Sequence, residues 1–329
     1  MDGAVLVTGG AGYIGSHAVL ALCDAGYRVV VIDNLVTGFA WAVDPRATFM
    51  PMAVEDPAVV DLLRQHSVAA IMHFAGSVVV PESVSDPLKY YRNNTAASRS
   101  LIESAVTAGV KHFIFSSTAA TYGIPEVVPV AEDSPKAPIN PYGLSKLMTE
   151  LMLRDVAAAH PMNYCALRYF NVAGADPRGR SGQSTAGATH LIKVAVEAAT
   201  GKRDGVSVFG TDFATPDGTG VRDYIHVSDL ADAHVHALRA LAEAPSENLT
   251  LNCGYGRGYS VLEVLDAVDR VTNVTVERRL EGRRAGDPDG LVADNRAILA
   301  RLPWRPKLDN LDTIVAHALA WERTLAERG

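Results

Sequence analysis

Residues 4–15 read AVLVTGGAGYIG. The first five, Ala4–Thr8, form a short apolar run typical of a fully buried strand, and a helical segment follows the glycines. Gly9, Gly12 and Gly15 give the pattern G-x-x-G-x-x-G, one residue wider than the dinucleotide fingerprint. Bare backbone lets a pyrophosphate approach the helix N-terminus, where free N–H groups and the helix dipole favour anions. A tight strand-to-helix turn without any ligand would use the same glycines.

The second strand favours the ligand-binding interpretation. Residues 28–32 are a β-branched run that ends in Asp33 and Asn34, about 20 residues after the glycines. A carboxylate at this position accepts hydrogen bonds from an adenosine ribose. It would repel a 2′-phosphate, and no arginine follows directly, so the sequence favours NAD over NADP. The alternative is a solvated aspartate at a strand end.

Strands and helices then alternate through the first half of the chain. The predicted elements are helix 57–66, strand 69–74, helix 86–108, strand 111–115, helix 141–159 and strand 164–170. This order predicts an α/β fold with a doubly wound, Rossmann-like parallel sheet, whose ligands bind at the carboxyl ends of the strands. Asp33, Phe74 and Thr118 would then gather at one edge.

After residue 172 the regular alternation of strands and helices stops, which predicts a smaller mixed α/β substrate lobe. We assign residues 1–172 plus about 224–253 to the NAD-binding domain, and about 173–223 plus 254–329 to the second domain. In the second half the predicted elements are helix 190–200, strand 207–209, turns over 215–224, helix 227–241, strand 249–252, helix 260–271, strand 274–279 and two closing helices. Ser260 and Glu263 have the spacing of a capping box.

Residues 140–146, NPYGLSK, carry the strongest chemical signal. Tyr142 and Lys146 are four residues apart and therefore lie on one face of a helix. A phenol titrates near pH ~10, and a neighbouring cation lowers its pKa, so the pair could supply a phenolic base. Such a pair alone is usually an ordinary helix surface. The glycine turn and Thr118, at the end of a strand, make the catalytic interpretation specific.

Composition excludes several function classes. The 329 residues carry a formal net charge of −7, which argues against a nucleic-acid or membrane-surface protein, so an anionic substrate would need local arginines. No apolar run reaches ~18 residues, so we expect no membrane span. Cys23, Cys165 and Cys253 are far apart, which fits buried thiols in a reducing compartment and predicts a cytoplasmic location. The histidines are scattered, and we expect no metal site.

Together these stretches resemble the extended short-chain dehydrogenase/reductase family, and within it the UDP-hexose 4-epimerases. The stretches that carry the resemblance are VTGGAGYIGSH (7–17), HFAG (73–76), FIFSST (113–118), PYGLSK (141–146), LRYFN (167–171) and DGTGVRDYIHV (217–227). They run through most of the chain. The last one is far more specific than the glycine turn.

The resemblance implies a catalytic role for three residues: Tyr142 as the base, Lys146 as its electrostatic partner and ligand of the nicotinamide ribose, and Thr118 as a bridge between the sugar O4 and the tyrosine. The implied NAD contacts are Gly9, Gly12, Tyr13, Ile14, Gly15, Asp33, Asn34, Leu35, Thr37, Gly38, Phe74, Ala75, Gly76, Asn93, Lys146 and Phe170. Besides Thr118 and Tyr142, the implied UDP-hexose contacts are Asn171, His190, Leu191, Phe209, Arg222, Arg284 and Asp287. The arginines suit a diphosphate because it rewards forked, charge-assisted donors.

The implied reaction interconverts UDP-glucose and UDP-galactose by reversible oxidation at C4, through a bound 4-keto intermediate and tightly held NAD. Leu291 stands where certain members carry a pocket-limiting tyrosine, so UDP-N-acetylhexosamines stay open as substrates. A nucleotide-sugar 4,6-dehydratase is a rival, although Ala119 and Ala120 replace the acidic pair usual in those enzymes. A non-catalytic NAD-responsive binding protein is a second rival. The family's dimers imply a homodimer that pairs helices 86–108 and 141–159.

Overall fold

The computed structural model describes residues 2–284 and 286–328; the predicted domain ranges also include residues 1, 285 and 329, which lie outside the described residues. The strands are β1 (Ala4–Thr8), β2 (Val29–Asp33), β3 (Thr48–Pro51), β4 (Val68–His73), β5 (His112–Thr118), β6 (Asn163–Tyr169), β7 (Asn171–Ala173), β8 (Val206–Phe209), β9 (Val221–His226), β10 (Leu249–Cys253), β11 (Gly258–Ser260), β12 (Arg278–Glu281) and β13 (Gly290–Leu291). The α-helices are α1 (Tyr13–Asp24), α2 (Val59–Gln65), α3 (Val80–Ser85), α4 (Pro87–Tyr90), α5 (Ala97–Ala108), α6 (Pro141–Ala159), α7 (Leu191–Ala199), α8 (Val227–Glu243), α9 (Val261–Thr272), α10 (Arg296–Arg301) and α11 (Leu311–Arg328). A π turn spans Tyr91–Ala96, and 3₁₀ turns span Ala40–Ala42 and Ala119–Thr121.

Seven parallel strands form the main sheet in the order β10-β6-β5-β4-β1-β2-β3. The alternating side chains of β1 show why both faces must be covered: Val5 and Val7 join one apolar core, and Leu6 joins another. Parallel strands buried on both faces require helices on both sides. The predicted doubly wound α/β sheet is therefore confirmed.

A second lobe is built on two smaller sheets. In one, β9 pairs with β7, β11 and β13; in the other, β8 pairs with β12. Helices α7, α9 and α11 enclose a third apolar core that includes Ile192, Val264 and Ile314. Between these parts the chain returns to the main sheet, where β10 lies parallel to β6. The domain boundaries given above stay a prediction.

Two predicted elements are wrong in detail. The helix predicted over 86–108 is interrupted by the π turn, so that it consists of α4, the turn and α5. The strand predicted over 274–279 begins only at Arg278, because the Val276 N–H donates to Asp269 Oδ1 (2.9 Å) and ladder pairing starts where Arg278 meets Val206. The capping box of Ser260 and Glu263 is confirmed.

Within the described residues, no helix combines the length and the apolar character needed to cross a membrane. The same part of the chain contains no group of three or more His, Cys, Asp or Glu side chains placed to hold a metal ion.

Candidate active site

The glycine turn joins β1, β4 and α1 at the carboxyl edge of the sheet. Gly9 has φ +68°, and a Cβ there would lie 2.7 Å from the Ala75 nitrogen, so only glycine fits. A Cβ on Gly15 would collide with the Gly9 carbonyl oxygen, and its absence lets α1 pack tightly on the turn. Gly12 caps α1 without a side-chain hydrogen bond, which leaves the first N–H groups of the helix free for an anion. This geometry fits a dinucleotide diphosphate.

Asp33 lies at the end of β2, beside that turn. Its Oδ2 accepts from the Ala11 N–H (3.0 Å) and its Oδ1 from the Leu35 N–H (2.8 Å). A carboxylate has about four acceptor sites, so it can still accept bonds from a ribose. The side chain of the adjacent Asn34 makes a local bond instead: its Oδ1 accepts from the backbone N–H of Val36, two residues later (3.2 Å).

The other predicted NAD contacts occupy the same edge. Gly38 lies against Ala11, where a Cβ would come within 2.9 Å of the Ala11 carbonyl carbon, so the loop that carries Thr37 and Gly38 packs on the glycine turn. Two side chains are engaged elsewhere: the Tyr13 hydroxyl donates to the Gly174 carbonyl (2.7 Å), and Ile14 packs into the core. Tyr13 and Ile14 would therefore meet a cofactor through their backbone.

A buried amide that sequence reasoning passed over holds the turn after β4. Asn94, 1% exposed, accepts from the Ser77 N–H (2.7 Å) and donates to the Ser77 carbonyl (3.0 Å) and to Ser145 Oγ (3.1 Å). It thereby fixes the segment Phe74–Gly76 relative to α6. The predicted Asn93 makes one bond there, to Ser77 Oγ (3.0 Å).

A signal for Asn94 was available, because two adjacent asparagines are unfavourable in a helix interior. They lie in the π turn Tyr91–Ala96. Such bulges are frequent at functional sites.

The predicted catalytic residues meet where β5 ends and α6 begins. Asn140 caps α6 by accepting from the Gly143 N–H (2.9 Å), which places Tyr142 in the first turn. Tyr142 is half-buried, and burial raises the pKa of its phenol, while a hydrogen bond with Thr118 works in the opposite direction. The Tyr90 ring packs at 6.4 Å and 89° to the Tyr142 ring.

Lys146 lies one turn further along α6 and is 3% exposed. Its Nζ donates to the Ser116 carbonyl (3.0 Å) and lies 5.0 Å from the centre of the Phe115 ring. Burial lowers the pKa of Lys146 to about 8. The expectation that Lys146 brings the pKa of Tyr142 down is therefore wrong for the protein alone, because desolvation dominates at both residues.

One group of predicted substrate residues surrounds a cleft in the second lobe. Asn171, His190 and Leu191 line this cleft together with Tyr224. His190 precedes α7, and its Nδ1 lies 2.7 Å from the side-chain nitrogen of Gln183.

A second group lies around β8, β9 and the segment before β13. Arg284 places its guanidinium 3.6 Å from the centre of the Phe209 ring. Arg222 approaches Asp287, with Nη2 3.8 Å from Oδ1, and donates from Nη1 to the Val221 carbonyl (2.8 Å). The Asp287 N–H also donates to the Arg284 carbonyl (3.3 Å), so both arginines are close to Asp287, and a pair of arginines suits a diphosphate.

Phe170 and Leu291 connect this region to the predicted catalytic residues. Both pack on a small buried cluster of Ala119, Tyr122 and Val130, and Ala119 directly follows Thr118. Leu291 also pairs in register with Arg222 across β13 and β9. The side chain at 291 therefore lies between the predicted catalytic residues and the arginines.

The geometry agrees with comparisons to known proteins. The model of the NAD dependent epimerase/dehydratase family matches residues 5–254. A UDP-glucose 4-epimerase of Azospirillum brasilense is 55% identical over 98% of this chain and 93% of its own. The crystal structure of the UDP-glucose-4-epimerase of Stenotrophomonas maltophila, with bound NAD and formylated UDP-arabinopyranose, has a TM-score of 0.96 and 38% identity, covering 100% of both chains. The UDP-Glc/GlcNAc 4-epimerase of Campylobacter jejuni has a TM-score of 0.86 and 46% identity, covering 98% of this chain and 100% of its own.

The buried lysine predicts a pH dependence of stability. Its pKa is about 8 in the folded protein against 10.5 for a free lysine, so the unfolded chain binds more protons in between. The free energy of unfolding of the nucleotide-free parent, relative to Lys146→Met, should therefore rise by up to ~3 kcal/mol from pH 8 to 10.5. Denaturant titrations across this range measure it. Lys111→Met, which removes an exposed ammonium, is the control, and a flat difference for Lys146→Met would contradict the burial argument.

Proposed function

The chain belongs to the NAD dependent epimerase/dehydratase family, and we propose that it interconverts UDP-glucose and UDP-galactose. The observation that carries the proposal is the meeting of Thr118, Tyr142 and Lys146 beside a glycine turn that fits NAD. The enzyme is an isomerase, since the sugar is neither oxidised nor reduced overall.

In this proposal, Tyr142 and Thr118 act on the sugar, and Lys146 acts on the cofactor and on the phenolate. Tyr142 takes the proton from the hexose 4-hydroxyl and later returns it, with Thr118 bridging the sugar oxygen and the phenol. Lys146 orients the nicotinamide ribose and stabilises the phenolate by its charge. When bound, NAD⁺ supplies the hydride acceptor and donor and a further positive charge that favours the phenolate.

Arg222 and Arg284 hold the nucleotide half of the substrate, so the 4-ketose stays bound while the sugar turns over. Firm diphosphate contacts and looser sugar contacts are what this step needs. Arg284 is suited to the first task, since its guanidinium lies against the Phe209 ring and a contact with an aromatic face uses none of the N–H donors.

The dehydratase alternative is disfavoured by the residues that follow Thr118. Elimination of water across C5 and C6 needs an acid and a base near C6. Ala119 is 2% exposed and packs on Tyr122, and Ala120 supplies only a methyl group and a backbone. Incubation with UDP-glucose should give UDP-galactose and no 4-keto-6-deoxy sugar.

Replacing Tyr142 with Phe tests the central role. Because the ring stays and the proton acceptor is lost, turnover of UDP-galactose to UDP-glucose, without added NAD, should fall by at least ~10²-fold. Bound NAD, measured after gel filtration, should remain. Tyr27→Phe, a half-buried tyrosine far from the site, should behave as the parent does. If Tyr142→Phe turns over normally, the role assignment is wrong.

We also propose that Leu291 lets the pocket admit N-acetylated UDP-hexosamines. The Campylobacter jejuni relative is named as acting on both sugar types. Leu291 and Phe170 share one apolar cluster beside Thr118, so a larger side chain at 291 would reach into the sugar pocket.

Leu291→Tyr should lower kcat/KM for UDP-N-acetylglucosamine roughly 10-fold or more relative to UDP-glucose, because the added ring competes with the acetyl group for space. Steady-state kinetics with both substrates give the ratio. Leu291→Ile, of equal volume, is the control. An unchanged ratio in the tyrosine variant would remove Leu291 from the pocket wall.

The proposal extends to a homodimer and to the cytoplasm. Large apolar side chains are exposed on the segments expected to pair, where Leu88 is 77% exposed and Leu151 41%, and Val84, on the adjoining helix α3, is 65% exposed. Such side chains favour an interface at this face. For the cytoplasm the support is the three free thiols, two of them buried.

The double variant Leu88→Glu, Leu151→Glu should shift the protein from dimer to monomer, since two charges per subunit would be buried without partners. Light scattering after size-exclusion chromatography measures this. Leu280→Glu, at a position on the second lobe that is 67% exposed, should not alter the mass. A parent that is monomeric would refute the dimer.

A further inference from the structure

A narrow cleft lies at the N-terminus of α1, where the diphosphate of the cofactor is expected. The turn side of the cleft is formed by Ala11, Gly12, Tyr13 and Ser16, one wall by Thr37, Phe39 and Ala42, and the other wall by Gly182, Ser184 and Thr185. The first wall belongs to the loop after β2. The second belongs to the second lobe, which is tied to α1 where Ser16 Oγ lies 2.7 Å from Ser181 Oγ.

Two side chains of the loop after β2 contact two side chains of α11. We call these four residues, Phe39, Trp41, Trp321 and Arg328, the aromatic clamp. Ring centres are 5.2 Å apart for Phe39 and Trp41, and 6.1 Å apart for Trp41 and Trp321. The Arg328 guanidinium lies 4.7 Å from the Trp41 ring centre and 5.4 Å from that of Trp321. These distances are those of attractive aromatic and cation–π contacts.

The second wall is attached to the same tryptophan. Trp321 is 3% exposed, and its Nε1 donates to Ser184 Oγ (3.1 Å). Gly182 lies directly on the indole face, where any Cβ would collide with the ring. One residue of α11 therefore packs on one wall and stacks with the other.

We propose that the aromatic clamp retains NAD by holding the two walls of this cleft together, with Trp41, Trp321 and Arg328 acting as positioning residues. The inference rests on the proposed function for the identity of the cofactor. In this arrangement a cofactor held in the cleft would leave when the loop after β2 moves away from the segment 182–185, and that movement would break the contact between Trp41 and Trp321. An enzyme that must keep NAD through both half-reactions gains from such a contact.

The test is the rate of NAD release from the purified holoenzyme. Released NAD is trapped by an excess of an NAD-specific alcohol dehydrogenase with its alcohol, and absorbance of the NADH formed gives the rate. Trp41→Leu and Arg328→Ala should release NAD ~10–100-fold faster, as expected for losing one or two such contacts. Their unfolding midpoints should change little, since Trp41 is 44% exposed and Arg328 lies at the surface.

Two matched variants separate positioning from general damage. Arg323→Ala removes an exposed arginine from the same helix and should release NAD as the parent does. Trp321→Phe keeps a ring and should restore most of the retention that Trp321→Leu loses. Parent-like release from Trp41→Leu and Arg328→Ala would overturn the clamp and leave the epimerase assignment intact. A parent that binds no NAD would overturn the proposed function, and the clamp with it.

Discussion

The buried ammonium of Lys146 is the constraint on which the rest of the site depends. Lys146 is almost fully enclosed, with the Ser116 carbonyl and the Phe115 ring as its neighbours, although an ammonium has three hydrogens to donate. Burying a cation with so little compensation is costly, and the lowered pKa of Lys146 expresses that cost. In the proposed function, the ribose hydroxyls of a bound cofactor and the phenolate of Tyr142 would accept hydrogen bonds from the ammonium and so lower this cost. Ligand binding and activation of Tyr142, as proposed above, would therefore be coupled through one charge.

Two polar networks keep this charge in place. In the first network, Asn94 links Ser77, in the segment after β4, to Ser145 on α6. In the second network, Arg168 forms a bidentate ion pair with Glu150 (2.9 and 2.6 Å) and donates to the Tyr122 hydroxyl (2.9 Å). Buried ion pairs add little net stability, so the second network is better understood as fixing the register of α6 on β5 and β6.

The sequence predicted those site residues whose type is required by the local backbone conformation or position. Gly9 and Gly15 could be interpreted because close approach permits no side chain, and Asp33 because a strand end is a fixed place in this fold. Tyr142 and Lys146 followed from helical spacing. The main sheet followed from strand–helix alternation.

What the sequence did not reveal depends on tertiary contacts. The π turn lies where the Asn94 carbonyl accepts from the hydroxyls of Ser98 and Thr149, and the second of these belongs to α6. The raised pKa of Tyr142 depends on how deeply other elements bury it. Pairing between Trp41 and Trp321, 280 positions apart, leaves no trace in either local sequence.

The position of β10 has a consequence for synthesis of the chain. β6 is complete at Tyr169, but its second neighbour, β10, begins roughly 80 residues later, at Leu249. At about 5–20 residues per second, ribosomes need roughly 4–16 s to reach it. During that interval a nascent polypeptide exposes an unpaired strand edge, which is a template for aggregation. Chaperone capture during translation would thus matter most between these two strands.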